Sequence, residues 1–80
     1  MKIVIVGAGE VGFHVAHHLA MENKDVVVID ENLEAIRRVS DHLDVQTVTG
    51  SGSSPLVLKE AGIRGADIML AVTDRHETNL

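Results

Sequence analysis

The chain has 80 residues, of which 12 are acidic and 7 basic, giving a formal net charge of −5 at pH 7. That length holds one domain or part of one, and a hydrophobic share of 45% is too high for a disordered segment. No apolar run approaches the roughly 20 residues that cross a bilayer. Cysteine is absent, which rules out disulfides, thiolate metal sites and cysteine nucleophiles. No basic cluster extends beyond Arg37-Arg38, so the surface repels nucleic acid and anionic lipid. Met1-Lys2 leads straight into Ile3-Val4-Ile5-Val6-Gly7, too short for the apolar core of a signal peptide. The expected compartment is the cytoplasm.

Val and Ile make up half of the hydrophobic residues, and Phe13 is the only aromatic. Small β-branched side chains in that proportion suit strands covered on both faces. Such runs occur at Ile3–Val6, Val26–Ile29, Val45–Val48 and Ile68–Val72, with starts 23, 19 and 23 residues apart. Each gap accommodates one crossover helix, the rhythm of βαβ units in a parallel sheet. The first two runs show no polar alternation, as expected of central strands.

The first predicted helix runs from Val11, with Val15, Ala16, Leu19 and Ala20 on one face and His14, His17, His18 and Met21 on the other. In the second, Asn32 is the expected N-cap and Leu33, Ile36, Val39 and Leu43 the buried stripe. In the third, Ser54 caps, Pro55 takes the first helical position and Gly62 ends it. Right-handed crossovers then give the spatial strand order 3-2-1-4. A fourth helix is expected to open at Asp74-Arg75-His76-Glu77. The fold class read here is α/β, a Rossmann-like doubly wound parallel sheet. Residues 1–80 read as one nucleotide-binding unit, the front portion of a larger domain cut after its fourth strand.

The strongest chemical signal is Gly7-Ala8-Gly9-Glu10-Val11-Gly12. A bare GxGxxG is weak, but this one leaves a β-branched strand and opens an amphipathic helix, the context that gives it meaning. Gly7 permits the tight turn, Gly9 lets a pyrophosphate approach the backbone, and Gly12 allows close packing of helix on strand. N–H groups of the first helical turn, Val11 among them, are expected to face the phosphates with the helix dipole behind them. Glu10 must point outward to avoid opposing that anion, although its charge suits a helix N-terminus. The alternative is a turn that merely needs glycine.

Asp30 ends the second strand, where a carboxylate accepts hydrogen bonds from adenosine ribose hydroxyls and repels a 2′-phosphate. Glu31 and Asn32 follow where an NADP protein would place arginine, and Arg37 and Arg38 are expected to lie too far along the helix to help. The competing reading of Asp30 is a solvated helix cap. Two further loops leave the same sheet edge, Gly50-Ser51-Gly52-Ser53 beside the adenine and Thr73-Asp74 beside the phosphate loop. Either alone is ordinary turn chemistry, but all three converge on one edge. His14, His17 and His18 share helical spacing that could hold a divalent metal. No carboxylate matches that spacing (Glu22 is one turn beyond His18), so solvent-facing or intersubunit histidines are the preferred reading and no metal site is assigned.

These residues resemble the TrkA-N domain, also called the RCK or KTN domain. The resemblance lies in Gly7–Gly12, Asp30, the Gly50–Ser53 loop, Val57-Leu58-Lys59-Glu60-Ala61-Gly62, and Ala71-Val72-Thr73-Asp74 with Glu77, Asn79 and Leu80. It covers essentially the whole chain, and its last two segments are more specific than the glycine fingerprint. The sequence departs from the family at Ser51, where an acidic or amide side chain is frequent, and at His76, where Asp is common. The resemblance implies a cytoplasmic Rossmann domain, assembled as dimers into a ring beneath a membrane potassium channel or transporter. NAD or NADH, or ADP and ATP in relatives, would bias that ring. It further implies Gly7, Ala8, Gly9, Glu10 and Val11 for the phosphates and Asp30 for the ribose, with Gly12 and Glu31 in the same expected cofactor-binding set. Ser51 and Gly52 would lie near the adenine, and Thr73 and Asp74 near the phosphates or second ribose.

The functional expectation is a ligand-sensing regulatory module with no catalytic residues. The cofactor half of an NAD-dependent dehydrogenase shares every glycine and is the alternative, and a pure oligomerisation unit is the third. The fourth strand carries no charge from Ile68 to Val72 to discourage edge pairing, whereas the third is shorter and interrupted by Gln46 and Thr47. A homodimer or larger assembly is expected.

Overall fold

The computed structural model describes residues 1–72. Thr73, Asp74, His76 and the helix expected from Asp74 onward lie outside the described residues.

Four strands, β1 (Lys2–Val6), β2 (Asp25–Asp30), β3 (Gln46–Thr49) and β4 (Ile68–Ala71), form one sheet in the order β3-β2-β1-β4. All three pairings are parallel. The register sets Val4 beside Val27 and Met69, and Ile29 beside Val48. Helices α1 (Glu10–Met21), α2 (Leu33–His42) and α3 (Pro55–Glu60), with a short 3-10 turn at Ile63–Gly65, make the crossovers. This is the expected doubly wound order.

Side chains of β1 and β2 alternate between two cores, because successive residues of a strand face opposite sides. Ile3, Ile5, Val26 and Val28 pack with Ala16 of α1 and with Ile36 and Val39 of α2. Val4, Val27 and Ile29 pack with Ala61, supported by Val57, Leu58 and Ile63 from the α3 side. Neither central strand can tolerate polar alternation, since each face is covered. Among the described residues no polar or charged side chain is buried.

The caps follow the chemistry of the sequence. Asn32 Oδ1 accepts from Glu34 N at 2.9 Å and Ala35 N at 3.2 Å, starting α2. Ser54 Oγ accepts from Val57 N at 3.4 Å, with Pro55 at the first position of α3. Three expectations need correction. Leu33 is 49% exposed and is not part of the α2 stripe. It occupies the first helical position, and the buried residues of the helix are Ile36 and Val39. The third strand is not shorter than the fourth, as β3 and β4 each span four residues. Both edges also shift by a residue, with β3 running to Thr49 and β4 ending at Ala71.

Candidate functional site

The carboxyl-terminal ends of the strands gather three loops. Beyond β1, Gly7 N donates to Ile29 O at 2.8 Å, so the glycine loop stays hydrogen-bonded to β2 as it turns away. Gly7 adopts φ +124°, a conformation that L side chains rarely enter. A Cβ there would also overlap the carbonyl oxygen of Val72, because the end of β4 passes directly beside the turn. Gly12 answers a different demand. A Cβ on it would overlap the Gly7 carbonyl oxygen, so the helix seats on the loop only because that atom is missing. The two outer glycines therefore do what the sequence pattern requires of them.

Gly9 is the N-cap of α1 in extended conformation, and its carbonyl accepts the first intrahelical bond from Phe13 N at 2.8 Å. Gly9 itself has no side chain with which to cap this helix. The positive end of the α1 dipole lies at this loop, a position that favours negative charge. Glu10 is exposed, and it borders a hollow with Phe13, His14 and Arg38 on the outer side of the helix. It is not among the residues that line the crevice at the strand ends.

Asp30 is central to the geometry. Its Oδ2 accepts from Ala8 N at 2.8 Å and its Oδ1 from Asn32 N at 2.8 Å. One carboxylate therefore joins the glycine loop to the start of α2. Asn32, and not Asp30, is the helix cap. Each Asp30 oxygen keeps a further lone pair with which to accept from a hydroxyl.

A crevice of about 150 Å³ opens between the three loops, lined by Val6, Gly7, Ile29, Asp30, Glu31, Gly50, Gly52 and Val72. Four residues expected from the sequence (Gly7, Asp30, Glu31 and Gly52) meet in it. Ser51 does not. Its hydroxyl lies 2.8 Å from Ser53 Oγ and accepts from Ser53 N at 3.2 Å, so it closes its own turn. Gly50 and Val72 join the lining through backbone proximity, with Gly50 N donating to Asp30 O at 2.9 Å and Val72 N to Val6 O at 2.8 Å.

Arg38 comes nearer the glycine loop than the helical rise alone suggests. Its Nη2 donates to the Ala8 carbonyl at 3.5 Å, and its guanidinium carbon lies 5.6 Å from the centroid of Phe13. It also lines a hollow of about 360 Å³ with Gly9, Asn32, Glu34 and Ala35. Helical side chains lean toward the N-terminus, so an arginine in the second turn of α2 extends back toward the glycine loop. That lean, absent from a count of helical rise, is the signal by which the sequence could have identified it.

The histidines of α1 do not converge. His18 Nε2 lies 3.6 Å from Glu22 Oε2 on an exposed face, while the His14 ring meets Phe13 edge to face at 6.0 Å. Among the described residues no group of three His, Asp or Glu side chains is placed to hold a metal ion. No helix among them is long and apolar enough to cross a membrane.

Comparison with known proteins agrees with this architecture. The TrkA-N domain family model matches residues 3–80. Over all 80 residues the chain is 46% identical to the Trk system potassium uptake protein TrkA of Halomonas elongata. It is 49% identical to the protein of that name from Azorhizobium caulinodans and 48% to the TrkA homolog of Archaeoglobus fulgidus. In each case the whole of this chain is covered but only 18% of the relative, so the chain spans under a fifth of these proteins' length. With a parallel sheet in the order 3-2-1-4, a glycine fingerprint on its first turn and this similarity along its length, the chain belongs to the TrkA-N family of Rossmann-like nucleotide-binding domains.

Proposed function

We propose that this chain is a cytoplasmic regulatory domain that binds NAD(H) or another adenine nucleotide and thereby controls a membrane potassium transporter or channel. The observation that carries the nucleotide part is the bond from Ala8 N to Asp30 Oδ2. It holds a glycine loop at a helix N-terminus beside the carboxylate at the end of the next strand, where pyrophosphate and ribose are bound together. In this reading Gly7, Ala8, Gly9, Val11 and Gly12 form the phosphate cradle, with Glu10 at its outer rim. Asp30 accepts from the ribose hydroxyls, Glu31 and Gly52 border the adenosine, and Ser51 shapes the turn that carries Gly52. Thr73 and Asp74 complete the phosphate side. Residues 1–80 act as one nucleotide-binding unit.

The potassium part is supported by the names of the relatives, each a Trk system potassium uptake protein. In this reading the domain is not an enzyme. It works by differential affinity, as a nucleotide shifts an assembly only so far as it binds one conformation better than another. The assembly is a homodimer or ring, held at the inner face of the membrane through its transporter partner.

The test is calorimetric titration of the full-length protein with NADH, NAD, ADP and ATP, beside the Gly9→Val variant. Binding by the parent, weakened by more than about 1 kcal/mol in the variant, the worth of one ordinary hydrogen bond, is the expected result. A folded Gly9→Val protein that binds as the parent does would place the site elsewhere. Potassium uptake by vesicles carrying the transporter, with and without nucleotide, tests the regulatory part.

A further inference from the structure

We propose that Arg38 is a positioning residue for the phosphate loop, holding the Ala8 peptide in place for nucleotide from the outer side of the sheet. The inference deepens the nucleotide-binding reading and rests on it.

Ala8 is completely buried within the glycine loop. Its two backbone groups are held from two different elements. The N–H is taken by Asp30 Oδ2 at the end of β2, and the carbonyl receives Arg38 Nη2 from α2. The peptides on either side of Ala8 are thus fixed in orientation, and with them the direction of the Gly9 backbone that leads into α1. At 3.5 Å the arginine bond is long, but the guanidinium is not held by that bond alone. Its carbon lies 5.6 Å from the Phe13 ring centroid, within cation–π range. Phe13 is itself flanked edge-to-face by His42, whose Nδ1 lies 2.8 Å from the Arg38 carbonyl oxygen. Arg38 therefore links α2, the loop and the first turns of α1.

The guanidinium is suited to this because it is planar. It can set a face against a ring and direct N–H groups from its edge at a carbonyl, which a lysine ammonium cannot do in one pose. Charge alone is not the requirement. Arg37 and Arg38 are both exposed, but Arg38 is the one that contacts the Ala8 carbonyl and the Phe13 ring, so Arg37 provides an internal control.

The experiment measures amide exchange of Ala8 in the full-length protein without nucleotide, followed by ADP titration, for Arg38→Ala, Arg38→Lys and Arg37→Ala. Exchange reads local opening and needs no ligand. We expect Ala8 to exchange about fivefold faster in both Arg38 variants, the equivalent of one ordinary hydrogen bond, and ADP affinity to fall by a similar factor. Arg37→Ala should leave both unchanged. Unaltered Ala8 exchange in Arg38→Ala, or parent-like behaviour of Arg38→Lys, would overturn the proposal. Faster exchange with unchanged ADP affinity would overturn the role in binding. If the parent itself binds no ADP, NAD or NADH, the nucleotide reading fails and this role fails with it, whereas the exchange result still decides whether Arg38 holds the loop.

Discussion

Asp30 and Ala8 lie 22 residues apart in sequence and are joined by one hydrogen bond of 2.8 Å, from a loop amide to the carboxylate at the end of the neighbouring strand. The carboxylate that would meet a ribose is therefore also a structural part of the loop that would meet the phosphates. Asp30→Ala removes both at once. ADP or NAD binding should weaken by about 1.5–3 kcal/mol, the range of a hydrogen bond to a charged group, while circular dichroism stays native-like. Asp30→Asn is the informative partner, because its amide oxygen can still accept from Ala8 N. It should recover part of the loss, and no recovery would mean that the charge and not the tether matters.

Gly12 seats α1 on the Gly7 carbonyl with no space for a methyl group. Gly12→Ala must push the helix off the loop, since a backbone oxygen cannot move aside as a flexible side chain would. Overpacking of this kind costs about 1–3 kcal/mol. Urea denaturation should show a lower midpoint with an unchanged slope, and nucleotide affinity should fall as the loop is displaced.

Ligand choice follows from the groups at the crevice. Asp30 and Glu31 both line it, and Arg38 is occupied by the Ala8 carbonyl and the Phe13 ring. A 2′-phosphate would meet these two carboxylates. NAD, NADH, ADP and ATP share adenosine and phosphates, so they should bind within about tenfold of one another, a spread of 1.4 kcal/mol. NADP should be much weaker than all four. Calorimetry that ranks NADP tightest would contradict this assignment of the carboxylates.

Stability should reside in the two central strands. Ile5 is completely buried, and Ile5→Ala should cost about 2–5 kcal/mol. That is a large part of the 5–15 kcal/mol typical of a whole domain. Leu56, 79% exposed at the start of α3, offers the contrast. Leu56→Ala should change stability by less than about 0.5 kcal/mol, and thermal melts of the two variants would test the pair.

Much of this molecule was legible in its residues, and the reason is locality. Strand runs, helix caps and the outer two glycines depend on near neighbours and on the fixed periods of strand and helix, which the sequence displays directly. Asn32 and Ser54 cap because a side-chain oxygen two or three residues away is always within reach of the amides they serve. The order 3-2-1-4 follows from the handedness of crossovers, a property common to all such chains.

Other features depended on how separate elements came together. Leu33 lies on the apolar stripe by count, yet it is exposed at the first helical position, while Ile36 and Val39 reach the core. Ser51 stands in the expected loop, but its hydroxyl turns inward to Ser53. Arg38 reaches Ala8 across 30 residues of sequence, through a contact that exists only once α2 lies against the glycine loop. The sequence by itself determined the sheet, its order and the glycine fingerprint. The contact of Arg38 with the glycine loop came only from the docking of α2, because the direction of a long side chain is set by where its helix packs.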